Sequence, residues 1–265
     1  MSEVDDFLLP LHLPKSFSMG SCDDSMVMSN YTGEKHGIHI VQGVEGNIFT
    51  PMGGKYHSAL NTRVFQQAWH SVFLDGRYQK YDWTVKIDLD AVFFASRLRE
   101  ALIPFTGPSA VMILNNGKVC PGFSCIEGPV EVFSRAAIRR YEHEPGKCER
   151  AVNASEIGED WYIHDCMMLL NVHPVYSAWE LSKNPLGGDC TLHHYVAIHP
   201  LKSRKEWELC ARESLRSYTS DTRDDELADV FAENERDQVL MNPSVHSDAS
   251  MRSGRRFPFQ PFMPA

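Results

Sequence analysis

Trp83-Thr84-Val85-Lys86-Ile87-Asp88-Leu89-Asp90 is the stretch from which the rest of the chain can be read. Successive side chains of an extended strand point to opposite faces, so Val85 and Ile87 share one face while Lys86, Asp88 and Asp90 share the other. The apolar half implies a strand set against a core. The aspartates at its carboxyl end imply a ligand site, because ligands of open α/β sheets bind beyond the carboxyl ends of the strands. Carboxylates a few ångströms apart repel by about 4 kcal/mol at an effective dielectric of about 20, a cost that a divalent cation with oxygen ligands cancels. Mg²⁺ or Mn²⁺ is the expected partner. A plainer reading has both acids capping the next turn or facing water, since carboxylates are mostly solvated.

Working outward, Asn61 can cap a helix in which Val64, Phe65, Ala68, Trp69, Val72 and Phe73 recur at helical spacing, and Gly76 stops it. Gly37 to Val44 alternates as a half-buried strand does, and the apolar pieces between Ser16 and Ser29 suggest another. Downstream, Ala95 to Leu102 reads as a helix, Ala110 to Leu114 as a buried strand, and Val130 to Phe133 as a strand entering a helix capped by Ser134. Gly158 to Val172 puts Glu159 and Asp160 in the first turn of a helix, where the dipole favours anions. Tyr195 to Ile198 is a last short strand, followed by His199-Pro200-Leu201-Lys202, and Ser203 with Glu206 forms a capping box for a final helix. Strands alternating with helices predict an α/β fold.

Composition narrows the function classes. The chain has 265 residues, 43% hydrophobic and 23% charged, which is the profile of an ordinary folded protein with room for a real core. Lys and Arg number 26 against 35 Asp and Glu, a net charge of −9, so nucleic acid is not an expected partner. No apolar run approaches the roughly 18 residues that a membrane span needs, and Phe7 to Pro14 (FLLPLHLP) is preceded by acids rather than the basic start of a secretory signal. Seven cysteines without a CxxC pair disfavour tetrahedral zinc, and the odd number leaves at least one free thiol whether or not the others pair. Asn30-Tyr31-Thr32 and Asn153-Ala154-Ser155 are acceptable glycosylation sequons. His193-His194 cannot easily share one ion, because neighbours on a strand diverge. No Walker loop, GxSxG elbow, HExxH helix or dinucleotide glycine fingerprint is present. Beyond Ser214 the composition turns polar, predicting a flexible acidic tail over 212–265 in which Leu227, Val230 and Phe231 could form an amphipathic turn.

The passage from Tyr81 to Phe94 resembles the D-x-D segment of nucleotide-sugar glycosyltransferase-like proteins with the GT-A fold. So do Gly53-Gly54-Lys55 with Ser58-Ala59-Leu60-Asn61-Thr62, Gly128-Pro129-Val130-Glu131-Val132-Phe133-Ser134-Arg135, Gly158-Glu159-Asp160, and His199-Pro200-Leu201-Lys202. These motifs keep the family's order from Phe17 to Ala211. The resemblance implies a GT-A-like domain over 16–211: a Rossmann-type mixed sheet flanked by helices that binds a nucleotide sugar. It implies that Asp90 binds the metal directly, that Asp88 reaches it through water or meets the ribose, and that His199 is the third contact. An imidazole ligand tilts the choice from Mg²⁺ toward Mn²⁺.

Lys202 would meet the diphosphate as a point charge, and Lys86 and Asn61 join Asp88 as candidate donor-binding residues. Asp160 would be the catalytic base that takes the acceptor's proton, with Glu159 as its substitute, although a helix N-terminus alone also favours acids. The acceptor would be a glycan or a protein, and the location the Golgi or secretory lumen, with membrane attachment only through an upstream anchor. Few residues precede Phe17, so the strand and helix that cradle the base in such enzymes are expected to be missing. Ala95 and Gly117 depart from the family's proline and cysteine, which puts one family disulfide in doubt. A non-catalytic relative binding glycan or protein through the same cleft is the main rival, and a metal-dependent phosphohydrolase the next.

Overall fold

The structure, a computed structural model, describes residues 7–14, 18–115, 125–177, 181–182, 189–191, 194–218 and 259–264. In chain order its strands and helices are β1 (Met26–Ser29), β2 (Gly33–Lys35), β3 (Ile38–Gln42), β4 (Met52–Gly53), β5 (Ser58–Ala59), α1 (Thr62–Asp75), β6 (Trp83–Ile87), β7 (Val92–Phe93), α2 (Ala95–Leu102) and β8 (Val111–Leu114). There follow β9 (Val130–Ser134), α3 (Arg135–His143), α4 (Pro145–Ala151), α5 (Glu159–Leu169), β10 (His173–Tyr176), β11 (Leu181–Ser182), β12 (Ala197–Ile198), α6 (Arg204–Tyr218) and β13 (Phe259–Pro264). The protein is a mixed α/β fold.

The main sheet runs β10-β8-β9-β6-β13-β1-β3-β2. β9 lies antiparallel to both β6 and β8, β2 lies antiparallel to β3, and the other neighbours are parallel. β6 is buried along its whole length, because both faces of the sheet are covered. Trp83, Val85 and Ile87 face a core shared with the 7–14 segment, α2 and α6. On the other side Met26, Met28, Met112 and Phe133 pack under α1, α3 and α5, with Trp69 1% exposed at the centre. Thr84 and Lys86 point into this second layer rather than into water, which the alternation of β6 alone does not reveal.

The local signals explain most boundaries. Gly76 ends α1 in the left-handed region, at φ 69°, with its N–H on the carbonyl of Val72. Ser134 caps α3 by accepting from the N–H of Ala137, and at the expected box on α6 Ser203 Oγ accepts from the N–H of Glu206 and donates to its carboxylate. Ordered elements extend past both ends of the expected 16–211 span. Residues 7–14 lie outside the expected 16–211 span, yet Leu8, Leu9 and Leu11 are at most 1% exposed, because this apolar run covers the face of the sheet that α2 and α6 leave open. The tail was expected from 212, but α6 continues to Tyr218, and Arg97 donates to both Ser214 Oγ and the Ser214 carbonyl.

Phe259–Pro264 forms β13 in the middle of the sheet, although Pro261 lacks the N–H that a central strand uses. Leu227, Val230 and Phe231 lie outside the described residues. Disulfides join Cys148 to Cys166, tying α4 to α5, and Cys190 to Cys210, tying the 189–191 turn to α6. Cys125 is also disulfide-bonded, while Cys22 is free. These bonds are consistent with a secreted or lumenal protein. No helix among the described residues is long and apolar enough to cross a membrane.

Candidate metal centre

β6 stops at Ile87, and the aspartates lie in the turn beyond it, where the N–H of Ala91 bonds the carbonyl of Asp88. Distant parts of the chain hold this turn by its backbone. The N–H of Asp88 donates to Pro129, Leu201 donates to the Asp90 carbonyl at 2.8 Å, and Trp207 Nε1 donates to the Ala91 carbonyl at 3.2 Å. His12 Nε2 donates to the Leu89 carbonyl at 2.8 Å, and its Nδ1 accepts from Ser18 Oγ at 2.7 Å. Burial pushes the His12 imidazole down to about 4, against the pull of the Leu89 carbonyl and of Asp90, so the ring is neutral in the folded protein.

The third member arrives through a strand register. β12 pairs antiparallel with β7, Ile198 opposite Val92 and Ala197 opposite Phe93, so the next residue along falls beside the aspartate turn. The His199–Pro200 peptide bond is cis. His199 Nε2 is 3.3 Å from Asp90 Oδ2, and one ligand atom from each of Asp88, Asp90 and His199 lies within 4.8 Å of the others. Two hard oxygens and one imidazole nitrogen suit a divalent ion of the Mn²⁺ type. Lys202 also reaches Asp90 Oδ2, from a side chain that is 68% exposed. Burial opposes the Asp90 charge, but the hydrogen bond and charge of His199, together with Lys202, hold the carboxylate down at about 2.

On the α1 side of the turn lies a buried set of charges. Glu131 stands opposite Lys86 in the β6–β9 register, and Glu159 and Asp160 open α5. Lys86 Nζ is 2.8 Å from Asp88 Oδ1, 2.7 Å from Glu159 Oε1 and 3.5 Å from Glu131 Oε1, and it also donates to the Gly128 carbonyl at 2.5 Å. Burial works against the Lys86 charge, but Asp88, Glu159 and Glu131 hold its pKa well above the ordinary value. Burial raises Glu131 strongly, with the charge of Glu159 adding to it, and burial raises Glu159 and Asp160 as well. Asp160 accepts from the N–H of Trp161 and is less enclosed than Glu159.

The N-terminus of α5 is set by the segment that precedes α1. Asn61 Oδ1 accepts from the N–H of Glu159 at 3.0 Å, so its side chain caps α5 and not the helix that it precedes in sequence. Thr62 Oγ1 donates to the Ile157 carbonyl, and Lys55 N donates to that of Glu156. Gly54 makes this approach close, with φ at 68° and an added Cβ only 2.2 Å from the Glu156 carbonyl oxygen. Gly54→Ala is expected to lower stability by about 1–3 kcal/mol in urea denaturation, through left-handed strain and backbone contact. An unchanged midpoint would show that the 54–62 buttress is dispensable.

Asp88, Asp90, His199 and Lys202 thus converge at one place, and Lys86, Glu159 and Asp160 flank it. Asn61 acts through the backbone of α5. Sequence reading missed His12, Glu131 and Trp207. Of these, only Glu131 left a trace, as an acid inside the apolar strand Val130–Phe133. His193 lies outside the described residues. In comparison with known proteins, no family model and no curated protein matches the chain.

Proposed function

We propose that the chain is a divalent-cation-dependent glycosyltransferase of GT-A-like arrangement that moves a sugar from a nucleotide-sugar donor to an acceptor hydroxyl. The observation that carries this reading is the meeting of Asp88, Asp90 and His199 beyond the carboxyl end of a central strand. These three residues would hold Mn²⁺, or Mg²⁺ less favourably because of the imidazole. When bound, the ion supplies positive charge against the negative charge that develops on the departing diphosphate. Lys202, long and mostly exposed, leaves Asp90 and meets the diphosphate. Asp160, made more basic by burial, receives the acceptor's proton, while Glu159 is engaged by Lys86. The half-exposed Trp161 stacks on Tyr56 with ring centroids 4.1 Å apart and gives the acceptor an apolar surface beside that base. A Golgi lumen belongs to the same proposal, in keeping with the disulfides.

One observation favours a second reading, a cation-free binding module. Lys86 and Lys202 already neutralise the aspartates from within the chain. Donor turnover separates the two readings. Incubation with a panel of sugar nucleotides is expected to release nucleoside diphosphate in the presence of Mn²⁺ and not in chelator, whereas glycan binding without release would support the module.

Lys202→Ala tests the exchange. Removing an exposed ammonium from Asp90 is expected to tighten Mn²⁺ binding in the absence of donor, by up to about fivefold, which is the scale of a solvent-screened ion pair. The KM for the donor is expected to rise at the same time. Weaker Mn²⁺ binding in this variant would show that Lys202 supports the site and does not compete for it.

A further inference from the structure

An ammonium has three protons to donate, and those of Lys86 are already spent on Asp88 Oδ1, Glu159 Oε1 and the Gly128 carbonyl. The side chain is 1% exposed, and the ring of Phe65 lies 4.7 Å from Nζ. No donor is left to meet a phosphate. The function of so expensive a group has to lie in what it already holds. Buried ion clusters are poor devices for stability, because apolar residues of similar volume usually do as well or better. Asp88, in contrast, is 32% exposed at its side chain and sits at the mouth of the site, where a carboxylate without a fixed partner would rotate.

We propose that Lys86 is a positioning residue: braced by Glu159 and Glu131, its ammonium fixes the carboxylate of Asp88 toward the cation and ties the aspartate turn to the N-terminus of α5. The proposal rests on the cation reading given above. It joins three parts of the sequence, since Lys86 comes from β6, Glu131 from the strand paired with it, and Glu159 from the helix start that also carries Asp160. Asp88 and Asp160 thereby keep a common reference, although they lie far apart in the chain.

The sign of one measurement decides the matter. A positive charge beside a cation site repels the cation, so if Lys86 acted only through its charge, its removal would tighten Mn²⁺ binding. If it positions Asp88, removal weakens binding by about tenfold or more, the usual cost of losing a group that orients a metal ligand. Mn²⁺ titration followed by electron paramagnetic resonance would compare wild type, Lys86→Met and Lys86→Met/Glu159→Gln, with thermal unfolding to confirm the fold. The double variant removes a buried cation together with its nearest anion, so it provides the test if the single variant fails to fold. Both are expected to bind Mn²⁺ at least about tenfold more weakly, and in an Asp88→Ala background Lys86→Met is expected to cost nothing further. Equal or tighter binding by a folded variant would overturn the positioning role and leave the cation site standing. Failure of the wild-type protein to bind Mn²⁺ would remove the cation reading itself, and this inference with it.

Discussion

Asp90→Asn is expected to abolish Mn²⁺ binding and to lower donor turnover by at least about a thousandfold, equivalent to about 4 kcal/mol of transition-state stabilisation. The amide keeps the shape of the carboxylate but loses its charge, and an amide oxygen is a much weaker ligand for a divalent ion. The fold is expected to survive. The Asp90 backbone is held independently, by the Leu201 N–H on its carbonyl, and the turn around it by His12 and Trp207. Asp90 is 8% exposed and already carries its charge down to about pH 2, so the substitution removes a carboxylate that is ionised throughout the working range. His199→Ala is expected to act in the same direction with a smaller loss, since the two oxygen ligands remain. Stopped-time assays of nucleoside diphosphate release, with circular dichroism to verify folding, provide the check. Turnover within a few-fold of wild type in Asp90→Asn would mean that the reaction does not run through this site.

A second large effect is expected from acid. The imidazole of His12 is wholly buried and titrates at about 4, against 6.5 when exposed, with burial as the main cause. The unfolded chain therefore binds a proton that the folded chain refuses, in the window between those two values. Stability from this residue is complete above about pH 6.5, falls as pH drops below it, and levels off near pH 4, for a loss of about 3 kcal/mol. Glu131 and Glu159 act with the opposite sign, because burial raises their pKa values and the folded state takes up their protons more readily. The contribution of His12 is therefore read from the difference between proteins. Urea denaturation of wild type and His12→Gln at about pH 7 and about pH 4.5 is expected to show a wild-type excess that shrinks sharply at the lower pH. A constant difference would show that His12 does not stay neutral in the folded protein. The consequence reaches the site, since this imidazole holds the Leu89 carbonyl between the two aspartates.

The parts of the fold legible in sequence are those with local causes. Gly76, Ser134 and the Ser203–Glu206 box mark helix ends by backbone chemistry within a few residues, and each does what its pattern implies. The alternation of β6 separated Val85 and Ile87 from Lys86 and Asp88. It could not say that a helical layer covers the polar side, because burial on both faces depends on elements tens of residues away. The same limit hid the 7–14 segment, whose prolines and short length argued against a membrane but said nothing of the apolar face it covers. β13 falls within the stretch expected to be tail, and its Pro261 and Pro264 lack the N–H that a strand inside a sheet uses.

For the site, the aspartates were legible from chemistry and His199 from resemblance. The distance that makes them one cluster comes from the β7–β12 register, which no short motif carries. Lys86 and Asn61 were expected to bind the donor, and they lie beside the cluster. Their work was not legible, because each is occupied by a partner from another element: Glu159 for Lys86, and the backbone of α5 for Asn61.

The most direct test of the central claim is to crystallise the protein with MnCl₂ and record anomalous diffraction at the manganese edge. The account predicts a peak within coordinating distance of Asp88, Asp90 and His199, at about 2.0–2.3 Å from their ligand atoms, with the Lys202 ammonium displaced from Asp90. A well-diffracting crystal soaked in Mn²⁺ that shows no peak between these three side chains, with Lys202 still seated on Asp90, would contradict it.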